Sequence, residues 1–188
     1  MIIALKKQDK IFVATGINDG SINMTEKDLL LSENIPFWKI GGVKDCYVGV
    51  RDVSYSADLL RYNNYVFKNI TDIKSIIDNV IPKMKDLLGK YDMSGDGKNW
   101  RNRLVIIKDG RIYKVDNFFS VEEEDEYAVL TVGYDTDYIK GALDESKDLS
   151  AEESILNALR SYAIMKDRKV FPITIFNVTD KKKKIYYK

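Results

Sequence analysis

The sequence contains no histidine, and that absence limits what its other reactive side chains can do. Without imidazole there is no Ser-His or Cys-His activation of a nucleophile and no imidazole ligand for a metal. Catalysis would have to run on lysine, a carboxylate, a hydroxyl or a terminal amine. Lys39 stands between Trp38 and Ile40 in a strand-like run. A lysine there either serves a site or lets its ammonium snorkel to solvent from the polar face of the pleat. Cys46 opens the apolar run Cys46-Tyr47-Val48-Gly49-Val50 and is the single cysteine. With no histidine to stabilise its thiolate it reads as a small buried hydrophobe, and it can form no internal disulfide.

Three further runs invite a cation or a partner. Asp92-Met93-Ser94-Gly95-Asp96-Gly97 begins like a calcium loop, with oxygen donors at alternate positions. The twelfth position, where such a loop needs a bidentate acid, is Arg103. The segment therefore reads as a loop, and no metal or other cofactor is expected. Glu122 to Glu126 reads as a solvated hairpin tip and Lys181 to Lys184 as a solvated turn. Their opposite charges would suit pairing between subunits, although exposed pairs contribute little energy.

The 188 residues suit one domain, taken as residues 1–188. A hydrophobic share of 45% and a charged share of 31% are globular values, and 30 basic against 29 acidic side chains argue against a broad nucleic-acid surface. The opening MIIALKKQDK is too short an apolar run for a signal peptide. No stretch approaches the ~20 apolar residues of a membrane span. No nucleic-acid or membrane partner is expected, and the setting is expected to be cytoplasmic.

Along the chain, Ile2 to Leu5 and Ile11 to Ala14 flank a polar turn and read as a hairpin; Phe37 to Ile40 and Cys46 to Val50 read as two more strands around Gly41-Gly42. Two helices follow. The first carries Leu59, Leu60, Tyr62, Val66 and Phe67 inward. The second opens at Thr71-Asp72 with the stripe Ile73, Ile77, Val80, Ile81, Met84, Leu87 and Leu88, and Pro82 is expected to kink it. Leu104 to Ile107 and Ile112 to Val115 form a hairpin across Asp109-Gly110, and Tyr127 to Val132 form another strand. Asp135 to Leu143 and Ser150 to Asp167 read as helices, the latter opened by the capping box Ser150-Ala151-Glu152-Glu153. Val170 to Val178 and Ile185 to Tyr187 close as strands. Strands, two helices, strands, two helices and strands, without βαβ alternation, predict an α+β protein with two antiparallel sheets, each covered by a helix pair.

That order resembles the four-layer αββα sandwich of proteasome subunits and of the related ATP-dependent bacterial peptidase, members of the N-terminal nucleophile hydrolase superfamily. The opening IIALKKQDKIFVATG is similar to the family's first hairpin, Trp38-Lys39-Ile40 with Cys46 to Val50 to its lysine-bearing strand and the next one, and GALDESKDLSAEESILNALRSYAIMKDRKVFPITIFNVTD to its late helix pair and strand. The resemblance implies a threonine-type peptidase frame, in which an N-terminal threonine attacks the amide carbonyl and its own amine, helped by a lysine and a carboxylate, handles the proton.

Matched to that pattern, the strand here begins Met1-Ile2-Ile3, with no hydroxyl or thiol at the nucleophile's place. Lys39 stands at the family lysine. The carboxylate falls near Gly16-Ile17, where no acid is present, leaving Asp19 to supply one from a shifted loop. The oxyanion loop reads Gly49-Val50-Arg51-Asp52, with Gly49 the place for a backbone donor. The serine-and-glycine turn reads Gly133-Tyr134-Asp135. A cut before Thr15 would expose a threonine but delete the first strand and leave a new sheet edge. The resemblance thus implies a catalytically degenerate proteasome-like subunit that self-associates, in a ring if it follows the family, beside an ATPase or an active homologous subunit. The alternatives are an active threonine-protease-like or other amide hydrolase with an unrecognised nucleophile or processing, and a monomeric binding module on the same fold.

Overall fold

The computed structural model describes residues 1–16, 37–51, 55–91, 103–131, 135–166 and 170–187. In chain order the elements are β1 (Ile2–Lys7), β2 (Lys10–Gly16), β3 (Phe37–Lys39), β4 (Cys46–Arg51), α1 (Tyr55–Tyr62), a 3-10 turn (Asn64–Phe67), α2 (Ile73–Ser75), a π turn (Ile76–Val80) and α3 (Ile81–Lys90). There follow β5 (Arg103–Lys108), β6 (Arg111–Val115), β7 (Val121–Glu124), β8 (Tyr127–Leu130), α4 (Asp135–Glu145), α5 (Ala151–Lys166), β9 (Ile173–Asn177) and β10 (Lys182–Tyr186). The chain divides into two compact units, one of Met1–Ile35 with Val129–Lys188 and one of Pro36–Ala128.

The first unit is built on a sheet of order β10-β9-β2-β1-β8. Its first hairpin closes over two residues, Gln8 and Asp9, with φ of 50° and 60°. Positive φ at both central positions is the type I′ geometry whose twist matches that of the flanking strands. The register runs from Ile2 opposite Thr15 to Lys7 opposite Lys10. Ile2, Ile3 and Ala4 have no exposed surface, so β1 is a continuous apolar run rather than an alternating one. Helix α5 begins with the expected capping box: Ser150 N–H donates to Glu153 Oε2 at 3.1 Å and Glu153 N–H donates to Ser150 Oγ at 3.3 Å. It buries Ile155, Leu156, Ala158, Leu159 and Tyr162. Lys7 Nζ donates to the carbonyls of Lys147, at 2.6 Å, and Leu149, tying the end of β1 to the α4–α5 connection.

The second unit carries the sheet β3-β4-β5-β6-β7, whose pairs are all antiparallel. The β5–β6 turn is the expected Asp109-Gly110, with φ of 49° and 76°. One face of the sheet, through Cys46, Val48, Val50, Leu104, Ile106, Tyr113 and Val115, packs on Leu60, Val66, Phe67, Ile76, Val80, Met84 and Leu88.

Several expectations need correction here. Tyr62 is 86% exposed because α1 ends at that residue and the chain continues in a 3-10 turn, which breaks the 3.6-residue phase. Ile76, with no exposed surface, takes the inward place read for Ile77, which is 50% exposed. The π turn inserts one residue and shifts the phase, and Pro82 lies at the start of α3 just beyond it, so the expected kink takes the form of a local change of helix type. The acidic run is a tip only in part: Glu122, Glu123 and Glu124 lie in β7, with Lys114 bridging Glu122 and Glu124 on the shared face, while Asp125 and Glu126 form the exposed bend after it. Likewise Lys182 to Lys184 belong to β10 rather than to a turn.

Candidate functional site

The end of the first hairpin is where the resemblance places the nucleophile. Met1 is 6% exposed and packs over Gly16, its Cε 3.9 Å from where a Cβ on that glycine would stand. The same Cβ would lie 2.9 Å from the carbonyl oxygen of Val170, so Gly16, one of the two residues near which the carboxylate is expected, takes a side chain only if that backbone shifts. Thr15 pairs with Ile2 on one side and Thr174 on the other, inside the sheet. Asp19 and Ile17 lie outside the described residues, as do Asp52, Asp92 to Gly97, Gly133 and Tyr134.

Lys39 ends β3 with an exposed side chain, directly across from Tyr47. Phe37, two residues earlier and therefore on the same face, stacks on Tyr47 with centroids 5.6 Å apart and planes 7° apart. Trp38 points the other way, against the helix-covered core, with the Arg61 guanidinium 5.2 Å from its ring centroid. Gly49 lies within β4, paired with Phe37 and Val105, rather than in a loop after it. The strand runs on to Arg51, and the backbone of a residue flanked by strands on both sides is directed into the ladder rather than toward a ligand.

Cys46 is fully buried and its thiol is pushed up to about 11, by burial first, with the nearby Lys108 opposing and Asp109 adding. It is a neutral core side chain at physiological pH. Tyr47 is also raised, by burial and then by Asp45.

Sequence reasoning passed over one buried polar cluster. Asp135, in the first turn of α4, is 8% exposed; Tyr162 Oη donates to its Oδ2 at 2.8 Å and Lys166 Nζ stands 3.3 Å from its Oδ1. The cluster fastens the start of α4 to the last turns of α5. The spacing of Tyr162 and Lys166, one helical turn apart, was the available signal, but their partner lies far away in sequence. Among the described residues no group of three or more acids and cysteines is placed to hold a metal, and no helix is long and apolar enough to cross a membrane.

No protein-family model matches the sequence, and no curated protein matches it. Solved structures do share its fold. BPH of Thiobacillus denitrificans, in complex with epoxomicin, has a TM-score of 0.71 at 16% identity over 94% of this chain and 96% of that one. Anbu, the ancestral β-subunit of Yersinia bercovieri, has a TM-score of 0.60 at 12% identity over 100% of this chain and 87% of that one. HslV of Trypanosoma brucei has a TM-score of 0.57 at 13% identity over 93% and 96%. Likeness at such identities establishes the fold, and the fold is the α+β sandwich of proteasome-type N-terminal nucleophile hydrolase subunits, as the order of elements leads one to expect.

Proposed function

We propose that this chain is a catalytically degenerate proteasome-like subunit with a structural or regulatory role in a homo-oligomer. One observation carries the reading: the strand that should present the nucleophile has none. From Met1 through Ala14, across β1, its turn and most of β2, there is no serine, threonine or cysteine, so no cut within that stretch exposes a hydroxyl or thiol on the first strand. The crowding of Gly16 by Val170 supports the same reading, since a carboxylate partner there would need that backbone to shift. Lys39 is then a remnant, kept at the surface of β3, and Gly49 a strand residue rather than an oxyanion donor. Self-association, in a ring or otherwise, is proposed from the shared fold, one neighbour of which is named a β-subunit. An ATPase or an active homologous subunit would be the further partner, and the setting cytoplasmic.

The experiment is incubation of the purified protein with epoxomicin, the ligand of one neighbour, and with a panel of fluorogenic peptides. Intact mass unchanged and turnover no greater than in a blank are expected. A covalent adduct, or peptide cleavage that survives purification to constant specific activity, favours the active amide hydrolase instead. Light scattering on the same sample tests assembly: a mass near one chain at micromolar concentration favours a monomeric binding module.

A further inference from the structure

Among the described residues, two edge strands present exposed side chains of opposite charge. In the first unit the edge strand β10 presents Lys182, Lys183 and Lys184, all exposed. Lys184 is taken by Glu152, at 2.7 Å, whereas Lys182 and Lys183 stand in no salt bridge among the described residues. In the second unit the edge strand β7 presents Glu122, Glu123 and Glu124, followed by Asp125. Lys114 occupies Glu122 and Glu124. Glu123 reaches Arg111 only at 3.7 Å, with both side chains more than a third exposed, and Asp125 stands in no salt bridge among the described residues. The other two edges differ: β3 is three residues long, and Ala128, Val129 and Leu130 of β8 are buried.

An edge strand offers a row of unpaired N–H and C=O groups, and charge on it is the usual guard against pairing. Here the guard is selective. Lysines opposite lysines exclude β10 from pairing with another β10, and acids opposite acids exclude β7 from pairing with another β7, because like charges directly across a ladder repel. Only β10 against β7 sets opposite charges face to face. In that pairing the backbone ladder supplies the contact and the charges choose the partner. Joining two different surfaces of one chain is a heterologous contact, which closes into a ring or runs on as a filament.

We propose that β10 of one copy of this chain pairs antiparallel with β7 of the next, with Lys183 across from Glu123 and diagonal to Asp125 and Lys182 across from Glu124, giving a head-to-tail assembly. This rests on the self-association proposed above and names the surfaces that make it.

The test uses two full-length variants, one with Glu123→Lys and Asp125→Lys and the other with Lys182→Glu and Lys183→Glu, each checked for folding by circular dichroism. Light scattering should show each variant alone reduced to the mass of one chain, and an equimolar mixture restored toward the wild-type mass, since the mixture again offers opposite charges. A single variant that keeps the wild-type mass, or a mixture that stays monomeric, overturns the pairing while leaving self-association intact. A monomeric wild type overturns both. Should a charge variant fail to fold, Glu123→Cys with Lys183→Cys in one chain gives an independent reading. Oxidation should produce a ladder of multimers on a non-reducing gel, with Cys46 buried and silent, and a gel without multimers overturns the pairing.

Discussion

A Cβ on Gly16 would stand 2.9 Å from the carbonyl oxygen of Val170, inside the distance at which side chains pack, so β2 can only end there on a glycine. Gly16→Ala forces the Val170 backbone away from its place beside β9 and, as an overpacked site, should cost about 1–3 kcal/mol. Gly16→Asp, which restores the acid the resemblance calls for, should cost at least as much because the carboxylate enters a crowded site. Urea denaturation of the two variants against wild type reads this directly. Unchanged midpoints would show that the backbone at Val170 yields freely and that the site can hold an acid after all.

The first hairpin turns on Gln8 and Asp9, both at positive φ, where L residues without special reason are rare. The following residue of a type I′ turn is best as glycine, which takes that conformation without a steric penalty. Asp9→Gly should therefore stabilise the protein by several tenths to about 1 kcal/mol, with the gain offset in part by the added freedom of the unfolded chain. An Asp9→Ala control should move the other way. A urea midpoint for Asp9→Gly at or below that of wild type would contradict the turn geometry.

The contrast between Asp109-Gly110 and Gln8-Asp9 shows what was legible in the sequence. Both are two-residue turns at positive φ, but only the first has the residue chemistry that announces it. The helix pair late in the chain was legible because Ser150 and Glu153 cap it locally, within four residues. The inward place of Ile76 rather than Ile77 was not, because a π turn changes the period inside one helix and no single residue signals it. Strand β7 was hidden by its own surface: three glutamates have low strand propensity, and only Val121 shows the inward face. At the proposed site, that Met1-Ile2-Ile3 carries no hydroxyl or thiol could be read directly, since it is a matter of residue type. That Gly16 is closed to a side chain could not, because the group closing it arrives from Val170, across most of the chain.

Cys46 should be silent to thiol reagents in the native protein. It has no exposed surface, and its thiol is raised from an ordinary 9.0 to about 11, chiefly by burial. Above the ordinary value the unfolded chain releases this proton while the folded chain holds it. Stability contributed by the neutral thiol is therefore full below about pH 9 and falls as pH rises from there toward 11, by on the order of 1 kcal/mol per pH unit. A Cys46→Ala variant should lose this alkaline slope, at the cost of a small cavity. Labelling by a chromogenic disulfide reagent should be absent at pH 8 and complete in denaturant. Rapid labelling without denaturant would mean that β4 opens readily or that the thiol is not buried.

Glu152 joins the start of α5 to the edge strand β10. Its carboxylate accepts from Lys184 Nζ at 2.7 Å and from Tyr186 Oη at 2.5 Å. Burial pushes this carboxyl up, but the hydrogen bonds from Lys184 and Tyr186 and the lysine charge outweigh it and hold the group below the usual carboxylate range. Its folded value lies below its unfolded one, so the stability it contributes is present above the ordinary carboxylate range and is lost as pH falls through the folded value. Glu152→Gln should cost on the order of 1 kcal/mol at neutral pH, less than a buried pair would because Lys184 is well exposed, and the cost should shrink as the solution is acidified. Tyr186 titrates at about 12, raised by burial and then by its bond to Glu152. An ultraviolet titration should therefore show a late phenol that Tyr186→Phe removes and that Glu152→Gln brings part of the way back toward 10, burial holding the rest. If the Glu152→Gln deficit is the same at acidic and neutral pH, the carboxylate charge is not what holds β10 to the helix, and the contact is one of packing alone.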